Sequence, residues 1–282
     1  MNLKITFAVS TYNRLDTLKD FQLSLSLVNG LDRCNVRIYD DCSTEFNEAF
    51  LEKLFPYAAE INVRSKNVGS SMTYYLMFKE FLKTKDDVIF FADSDLVFDP
   101  NCLKFIQDNF LYTDGFLSVY NSAMHKSFRE ITIMGNEYIE KEMIGSAGTA
   151  IGRDLVKDIV TTLPHRIGLS YDWLYSDYLY NVKKIRMLVS KRSYVQHIGF
   201  YGSNCNGLNI LDYGLNFESN NIINSNIVLK YLEKFAFTLI NTEKDDAYNK
   251  MIESIYGSIT YKVGHAVLLP AKKLRNFLNS FR

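Results

Sequence analysis

The residues best placed to do chemistry are Asp93 and Asp95, which close the stretch Asp86-Asp87-Val88-Ile89-Phe90-Phe91-Ala92-Asp93-Ser94-Asp95. Carboxylates spaced i and i+2 repel one another unless a positive charge joins them. A divalent cation that also grips phosphate oxygens satisfies such a pair, because hard cations take both kinds of oxygen as ligands. The apolar run from Val88 to Ala92 is continuous rather than alternating, so it predicts a strand buried on both faces. Asp93 and Asp95 then lie where the chain leaves that strand, the edge at which open α/β sheets bind ligands.

Three earlier turns share this placement. Ile5 to Val9 predicts a first strand, followed by Ser10-Thr11-Tyr12-Asn13-Arg14. Val36 to Tyr39 predicts a second, ending at Asp40-Asp41-Cys42-Ser43, and Ile61 to Val63 a third, ahead of Lys66-Asn67-Val68-Gly69-Ser70-Ser71. Between them Leu18, Phe21, Leu25 and Val28 recur at helical spacing, closed by Gly30. A second helix carries Phe46, Phe50, Leu51 and Leu54 with Ser43 as its cap, and a third spans Ser70 to Leu82. Alternating β and α elements predict a parallel, doubly wound sheet with right-handed crossovers, which gathers all these turns on one edge. Singly, an acidic pair after a strand is commonly a helix cap or a solvated turn. The set of turns in register is not expected by chance.

Bulk properties narrow the class. The 282 residues suffice for one large domain or a domain with an appendage, and the 47% apolar fraction supports a sizeable core. Net charge is zero, so no global field selects nucleic acid. Cys34, Cys42, Cys102 and Cys205 form no C-x-x-C pair, which argues against a metal cluster or disulfide framework and for free thiols in a reducing cytoplasm. The N-terminal apolar run is too short for a signal peptide, and no stretch approaches the roughly 20 apolar residues of a membrane span. The expectation is a cytoplasmic protein, soluble or resting on the inner face of the cell membrane.

Taken in order, V-S-T-Y-N-R, Y-D-D-C-S, N-V-G-S-S and A-D-S-D resemble the motifs of inverting, GT-A-fold glycosyltransferases of family 2, over roughly residues 3 to 200. The last resembles the family's D-x-D. The resemblance implies an α/β fold with a mostly parallel sheet flanked by helices, and a nucleotide-sugar donor, most often with uracil. It implies that Thr11, Tyr12 and Arg14 lie near the base and ribose, and that Asp41 bonds a ring N–H of the base. Asn67 and Gly69 form the N-x-G turn of the donor site, with Ser94 between the acids of the D-x-D. Asp93 would contact ribose or donor sugar, and Asp95 would bind Mg²⁺ or Mn²⁺, which neutralises the departing diphosphate. The family usually carries a basic residue in the helix after the N-x-G turn. Here that region reads Met72-Thr73-Tyr74-Tyr75, leaving Lys66 and Arg14 as the cations within the motifs.

In the family an acid opens a helix after a small-residue loop. That loop resembles Gly145-Ser146-Ala147-Gly148-Thr149-Ala150, where Gly148 lets backbone approach donor sugar and acceptor, and the acid matches Asp172, with Asp177 as a second candidate. An inverting transfer needs one carboxylate to take the proton of the attacking hydroxyl, the role implied for Asp172. A capping acid would look the same. Trp173, the single tryptophan, is read either as a platform for a sugar face or as core. His197, in Val195-Gln196-His197-Ile198-Gly199, matches the position of a metal-site histidine, and is otherwise a hydrogen-bonded strand residue. His125, His165 and His265 have no comparable context.

The expected organisation is a catalytic domain over 1–215, with a nucleotide-sugar half at about 1–100 and an acceptor half at about 101–215, then a helical extension over 216–282. An Asn-rich loop is expected from Ser203 to Asn226, with helices from about Ile227. In the tail, Val263, Val267, Pro270, Leu274, Phe277 and Phe281 recur every three or four residues among Lys262, Lys272, Lys273, Arg275 and Arg282, a basic amphipathic element that either lies on an anionic membrane or packs on the domain. A saccharide or lipid-linked acceptor and a homo-oligomer formed through this extension are consistent with it. The rival enzyme class is a nucleotidyltransferase, against which stands the absence of glycine from Ser10 to Arg14. A non-catalytic nucleotide-sugar-binding protein of the same fold is the other alternative.

Overall fold

The alternation in the first half folds as the apolar periodicity dictates. A computed structural model describes residues 3–164, 169–200 and 212–241. In it β1 (Ile5–Thr11), α1 (Leu15–Leu25), β2 (Asn35–Asp40), α2 (Glu48–Leu54), β3 (Glu60–Val63), α3 (Ser70–Lys83) and β4 (Val88–Asp93) succeed one another. The chain continues through β5 (Leu96–Phe98), α4 (Cys102–Asn109), β6 (Phe116–Ser118), β7 (Ser127–Ile133), β8 (Asn136–Lys141) and β9 (Thr149–Gly152). It then forms α5 (Arg153–Thr162), α6 (Tyr171–Asp177), β10 (Leu188–Ser190), β11 (Val195–His197) and α7 (Ile222–Asn241).

Among the described residues the main sheet runs β3-β2-β1-β4-β9-β6-β10-β8-β7. Strands β3, β2, β1 and β4 are mutually parallel, as are β6 and β10. Strand β9 runs antiparallel between β4 and β6, and the β7–β8 hairpin closes the far edge. A second, two-stranded sheet pairs β11 with β5. The α/β class stands, with the parallel order concentrated in the first hundred residues.

Val88 to Ala92 is buried throughout, as its continuous apolar run requires. On one face of the sheet Phe7 meets Phe90 at 5.0 Å and Phe98 at 5.8 Å, and Phe21 meets Phe98 at 5.6 Å. On the other, Phe78 packs on Phe91 at 5.0 Å and on Tyr175 at 5.5 Å. Each such ring stabilises the fold by roughly 1.5–3 kcal/mol of burial, and truncating one to Ala costs about 3–5 kcal/mol.

Several local expectations are corrected. Helix α1 ends at Leu25 with Ser26 as its C-cap, and Gly30, at φ +84°, turns the following loop instead. Asn47, not Ser43, caps α2, accepting from Phe50 N at 3.0 Å. Ser43 is taken by Asp40, whose carboxylate accepts from its backbone N–H at 2.8 Å and from its hydroxyl. Helix α7 begins at Ile222, inside the expected Asn-rich loop, because Asn224 Nδ2 docks on Phe98 O at 2.7 Å and Tyr231 OH reaches Asp20 Oδ2 at 2.9 Å. Among the described residues no helix is long and apolar enough to cross a membrane. Cys205, His165, His265 and the basic tail lie outside the described residues.

Candidate active site

The loops after β1 and β2 are sewn together before they build the site. Asn13 Oδ1 accepts from Thr44 N at 2.7 Å, Asn13 N donates to Ser43 Oγ at 2.7 Å, and Leu15 N donates to Glu45 Oε2 at 2.8 Å. Asn13 and Arg14 both take left-handed backbone conformations, at φ 50° and 56°. Such conformations are uncommon for residues with a side chain and cluster at functional loops. Thr11 is buried with Oγ1 lacking a hydrogen-bond partner, while Tyr12 is exposed.

Helix α3 links the acids. Asp41 accepts from Val68 N at 2.9 Å and Gly69 N at 2.8 Å, and Asn67 Nδ2 donates to Asp41 O at 3.2 Å. The carboxylate therefore sits at the helix N-terminus, where the dipole favours it, and each oxygen retains a lone pair for a ligand N–H. Two residues on, Ser71 Oγ donates to Leu169 O at 2.8 Å and accepts from Tyr171 N at 3.0 Å, which fixes the start of α6 and hence Asp172. One turn later Tyr74 OH donates to Asp93 Oδ1 at 2.8 Å. Gly69 to Tyr74 spans about 8 Å of helix axis at roughly 1.5 Å per residue, so Asp41, Asp93 and the backbone that precedes Asp172 attach to one short segment.

Asp95 reaches His197 through the small sheet. The pairing of β5 with β11 sets His197 opposite Leu96, and Ile198 N donates to Asp95 O at 2.8 Å. His197 Nε2 then stands 3.3 Å from Asp95 Oδ2, and Arg14 Nη2 stands 2.8 Å from the same oxygen. Ser94 is buried in the turn between the acids, its N–H donated to Ser10 O at 3.0 Å. Burial, reinforced by the charge of Asp95, pushes Asp93 up to about 6, against hydrogen bonds from Ser10 and Tyr74. Burial works in the same direction on Asp95, but His197 and Arg14 outweigh it and hold that carboxyl well below the usual carboxylate range. For His197 burial opposes the charge, yet the Asp95 carboxylate prevails and raises the imidazole to about 9.

The donor set fits a hard cation. Asp95 Oδ1 is buried with no hydrogen-bond partner. The space beside Asp95 and His197 is kept by Gly199, where any Cβ would collide with Asp95 Oδ2 and His197 Nε2. Among the described residues no group of three or more His, Cys, Asp or Glu is gathered to hold a metal. Phosphate oxygens and water would have to complete the shell, which suits Mg²⁺ and Mn²⁺.

Asp172 opens α6, with Oδ1 accepting from Ser170 Oγ and from Trp173 N at 2.9 Å. Its Oδ2 faces Gly145 and His125: a Cβ on Gly145 would lie 3.7 Å from Asp172 Oδ2 and 3.7 Å from His125 Cε1. Trp173 is exposed rather than core. Gly148, at φ +65°, is buried, and a Cβ there would press on Val195 Cγ2 at 2.8 Å and Tyr120 Cβ at 3.0 Å, so its close approach is to protein. Gly145 is the small residue that faces the acid. Asp177 points elsewhere, accepting from Asn181 Nδ2 at 2.7 Å.

Sequence reasoning missed Ser10, Arg64, Ser71, Tyr74, His125, Ser170 and Gly199. Arg64 Nη1 lies 3.9 Å from Asp41 Oδ1 in a half-buried setting, where desolvation lowers its pKa against the pull of Asp41. Its position directly after β3 is a signal that the strand-end logic could have used. The remainder depend on contacts made across long stretches of chain.

The family model Glycosyl transferase family 2 matches residues 6–130. The match holds the first-half turns that end in Asp41, Gly69 and Asp95. The match stops short of Asp172 and His197, which stand on geometry alone. The S. aureus TarS fragment 1–349 is 18% identical, with a TM-score of 0.52 over 86% of this chain and 74% of that one. The same fragment in complex with UDP-GlcNAc is 16% identical, with a TM-score of 0.53 over 90% of this chain and 73% of that one. No curated protein matches in sequence. At these identities the likeness is one of fold, and the fold is GT-A. With the family 2 match over residues 6–130, it supports a glycosyltransferase and argues against a nucleotidyltransferase.

Proposed function

We propose that this glycosyltransferase moves a sugar, with inversion, from a UDP-linked donor to a hydroxyl of a saccharide or glycolipid acceptor. The observation that carries the reading is the attachment of Asp41, Asp93 and the Tyr171 backbone, next to Asp172, to the first turns of α3, with Asp95 and His197 paired at the end of β4 and β11. Uracil is favoured because the TarS fragment, which has a similar fold, forms complexes with UDP and with UDP-GlcNAc.

Thr11, Tyr12 and Asp41 bind the nucleoside, with Asn67 and Gly69 shaping the turn that supports Asp41. Asp93 contacts the ribose or donor sugar. Asp95 would hold Mn²⁺ or Mg²⁺, joined by His197 once the cation displaces its proton, and the metal would supply positive charge to the diphosphate. Arg14, already on Asp95, is the cation positioned to contact that diphosphate in place of the basic residue absent from the first turn of α3. Asp172 Oδ2 takes the acceptor proton while the acceptor oxygen bonds to the anomeric carbon. The bond from that carbon to the phosphate oxygen breaks, and its electron pair leaves with UDP. Ser170 and Trp173 N–H hold Oδ1, so the other oxygen is aimed at the acceptor.

Asp172→Asn tests the assignment. Transfer is expected to fall roughly 100- to 10,000-fold, the range for losing a general base, with UDP affinity retained. Transfer at the wild-type rate would remove Asp172 from the role.

A further inference from the structure

Resting on the reading of Asp172 as base, we propose that His125 and Trp173 form the acceptor subsite and select a sugar ring with a hydroxyl adjacent to the one that reacts. The imidazole of His125 meets the Trp173 indole edge-on, with ring centroids 6.1 Å apart and planes at 88°. Trp173 is 48% exposed, so an indole face remains available to the C–H face of a sugar. A Cβ on Gly145 would lie 3.7 Å from both Asp172 Oδ2 and His125 Cε1, so the small space over that glycine adjoins both groups. A hydroxyl placed there is in reach of the base, and its neighbour on the ring is in reach of the imidazole.

His125 has a vacancy for that neighbour. Its Nδ1 is buried and has no hydrogen-bond partner. A buried nitrogen left unpaired is destabilising, and a ligand hydroxyl would relieve it. Burial lowers the His125 pKa, opposed by Asp212 and Asp172 and reinforced by Lys141, which favours the neutral ring with its one donor and one acceptor. A vicinal diol answers that pattern, with one hydroxyl for Asp172 and the other for the imidazole.

Trp173 is the only tryptophan in the chain, so intrinsic fluorescence reports on this subsite directly. The experiment titrates methyl pyranosides of glucose, galactose, mannose and N-acetylglucosamine into protein saturated with UDP and Mn²⁺, with cyclohexanol as the control lacking a diol. At least one pyranoside is expected to change the emission saturably, and cyclohexanol to leave it unchanged. His125→Leu, which keeps an apolar body against Trp173, should weaken that pyranoside about tenfold, the loss of one hydrogen bond to a buried partner. His125→Asn, whose amide overlies Nδ1, should recover most of the loss. Equal affinity in wild type and His125→Leu, no recovery in His125→Asn, or an emission unmoved by every pyranoside would overturn the proposal. UDP binding followed by thermal shift in the same proteins separates the outcomes: if UDP fails to bind wild type, the donor reading fails, whereas intact UDP binding confines the failure to the acceptor subsite.

Discussion

Arg14 and His197 converge on one oxygen of Asp95, the guanidinium at 2.8 Å and the imidazole at 3.3 Å, while the other carboxylate oxygen is buried without a partner. The arrangement places a protein cation where a metal would share the same carboxylate. Binding of metal and diphosphate then offers the guanidinium a second anion close by.

Arg14→Ala separates these two contacts. Removing the guanidinium frees Asp95, so Mn²⁺ alone should bind at least as tightly as to wild type. UDP in the presence of Mn²⁺ should bind about tenfold more weakly, the scale of one charge-assisted hydrogen bond. Calorimetric titration of each ligand checks both signs. Unchanged UDP affinity would leave Arg14 only a structural partner of Asp95.

Asp41 is both a ligand candidate and the support of the 67–69 turn. Asparagine in its place presents one acceptor oxygen and an NH₂ group to the two backbone donors of Val68 and Gly69. Asp41→Asn should cost about 1–3 kcal/mol, lowering Tm by roughly 2–10 °C, and weaken UDP as well. A melt at the wild-type temperature would show that the carboxylate is not needed to hold the turn.

Lys141 supplies a pH dependence away from the metal site. Its side chain is fully buried at the end of β8, donating to Ser122 O at 2.7 Å, and burial pulls it down to about 8 against the nearby charge of Asp212. His125 shares this environment. In the unfolded chain a lysine titrates near 10.4. Below about pH 8 both states carry the charge and the burial penalty is complete. Between about 8 and 10.4 the unfolded chain binds more protons, so this contribution to stability rises with pH. Lys141→Met should therefore gain most relative to wild type at pH 7, and the gap should narrow as pH passes from 8 toward 10. Melting temperatures of both proteins over that range check it, and a gap that widens with pH contradicts it.

The fold of the first hundred residues was legible because buried parallel strands announce themselves as unbroken apolar runs, and because Asp41 and Asp93 must then fall at strand ends. His197 was legible as a position, although its pairing with Asp95 depends on the β5–β11 register, which three-residue strands do not signal. The β7–β8 hairpin was not legible. Strand β7 reads Ser127-Phe128-Arg129-Glu130-Ile131-Thr132-Ile133 and is exposed over its first half, so it lacks the alternation of a half-buried strand. The antiparallel insertion of β9 followed no local pattern, since its small residues read equally as loop. His125 is 47 residues from Asp172, and only the folded chain brings the imidazole to the same glycine that faces the acid.

The central claim is that the acids around α3 and β4 hold a cation and, through it, a nucleotide diphosphate. Calorimetric titration of UDP into wild type and Asp95→Asn, with and without Mn²⁺, tests it most directly. The account predicts that Mn²⁺ tightens UDP binding to wild type by about tenfold or more, a difference of at least ~1.4 kcal/mol, and that Asp95→Asn abolishes the increment. UDP affinity that is the same with and without metal, or an increment that survives in Asp95→Asn, would contradict it.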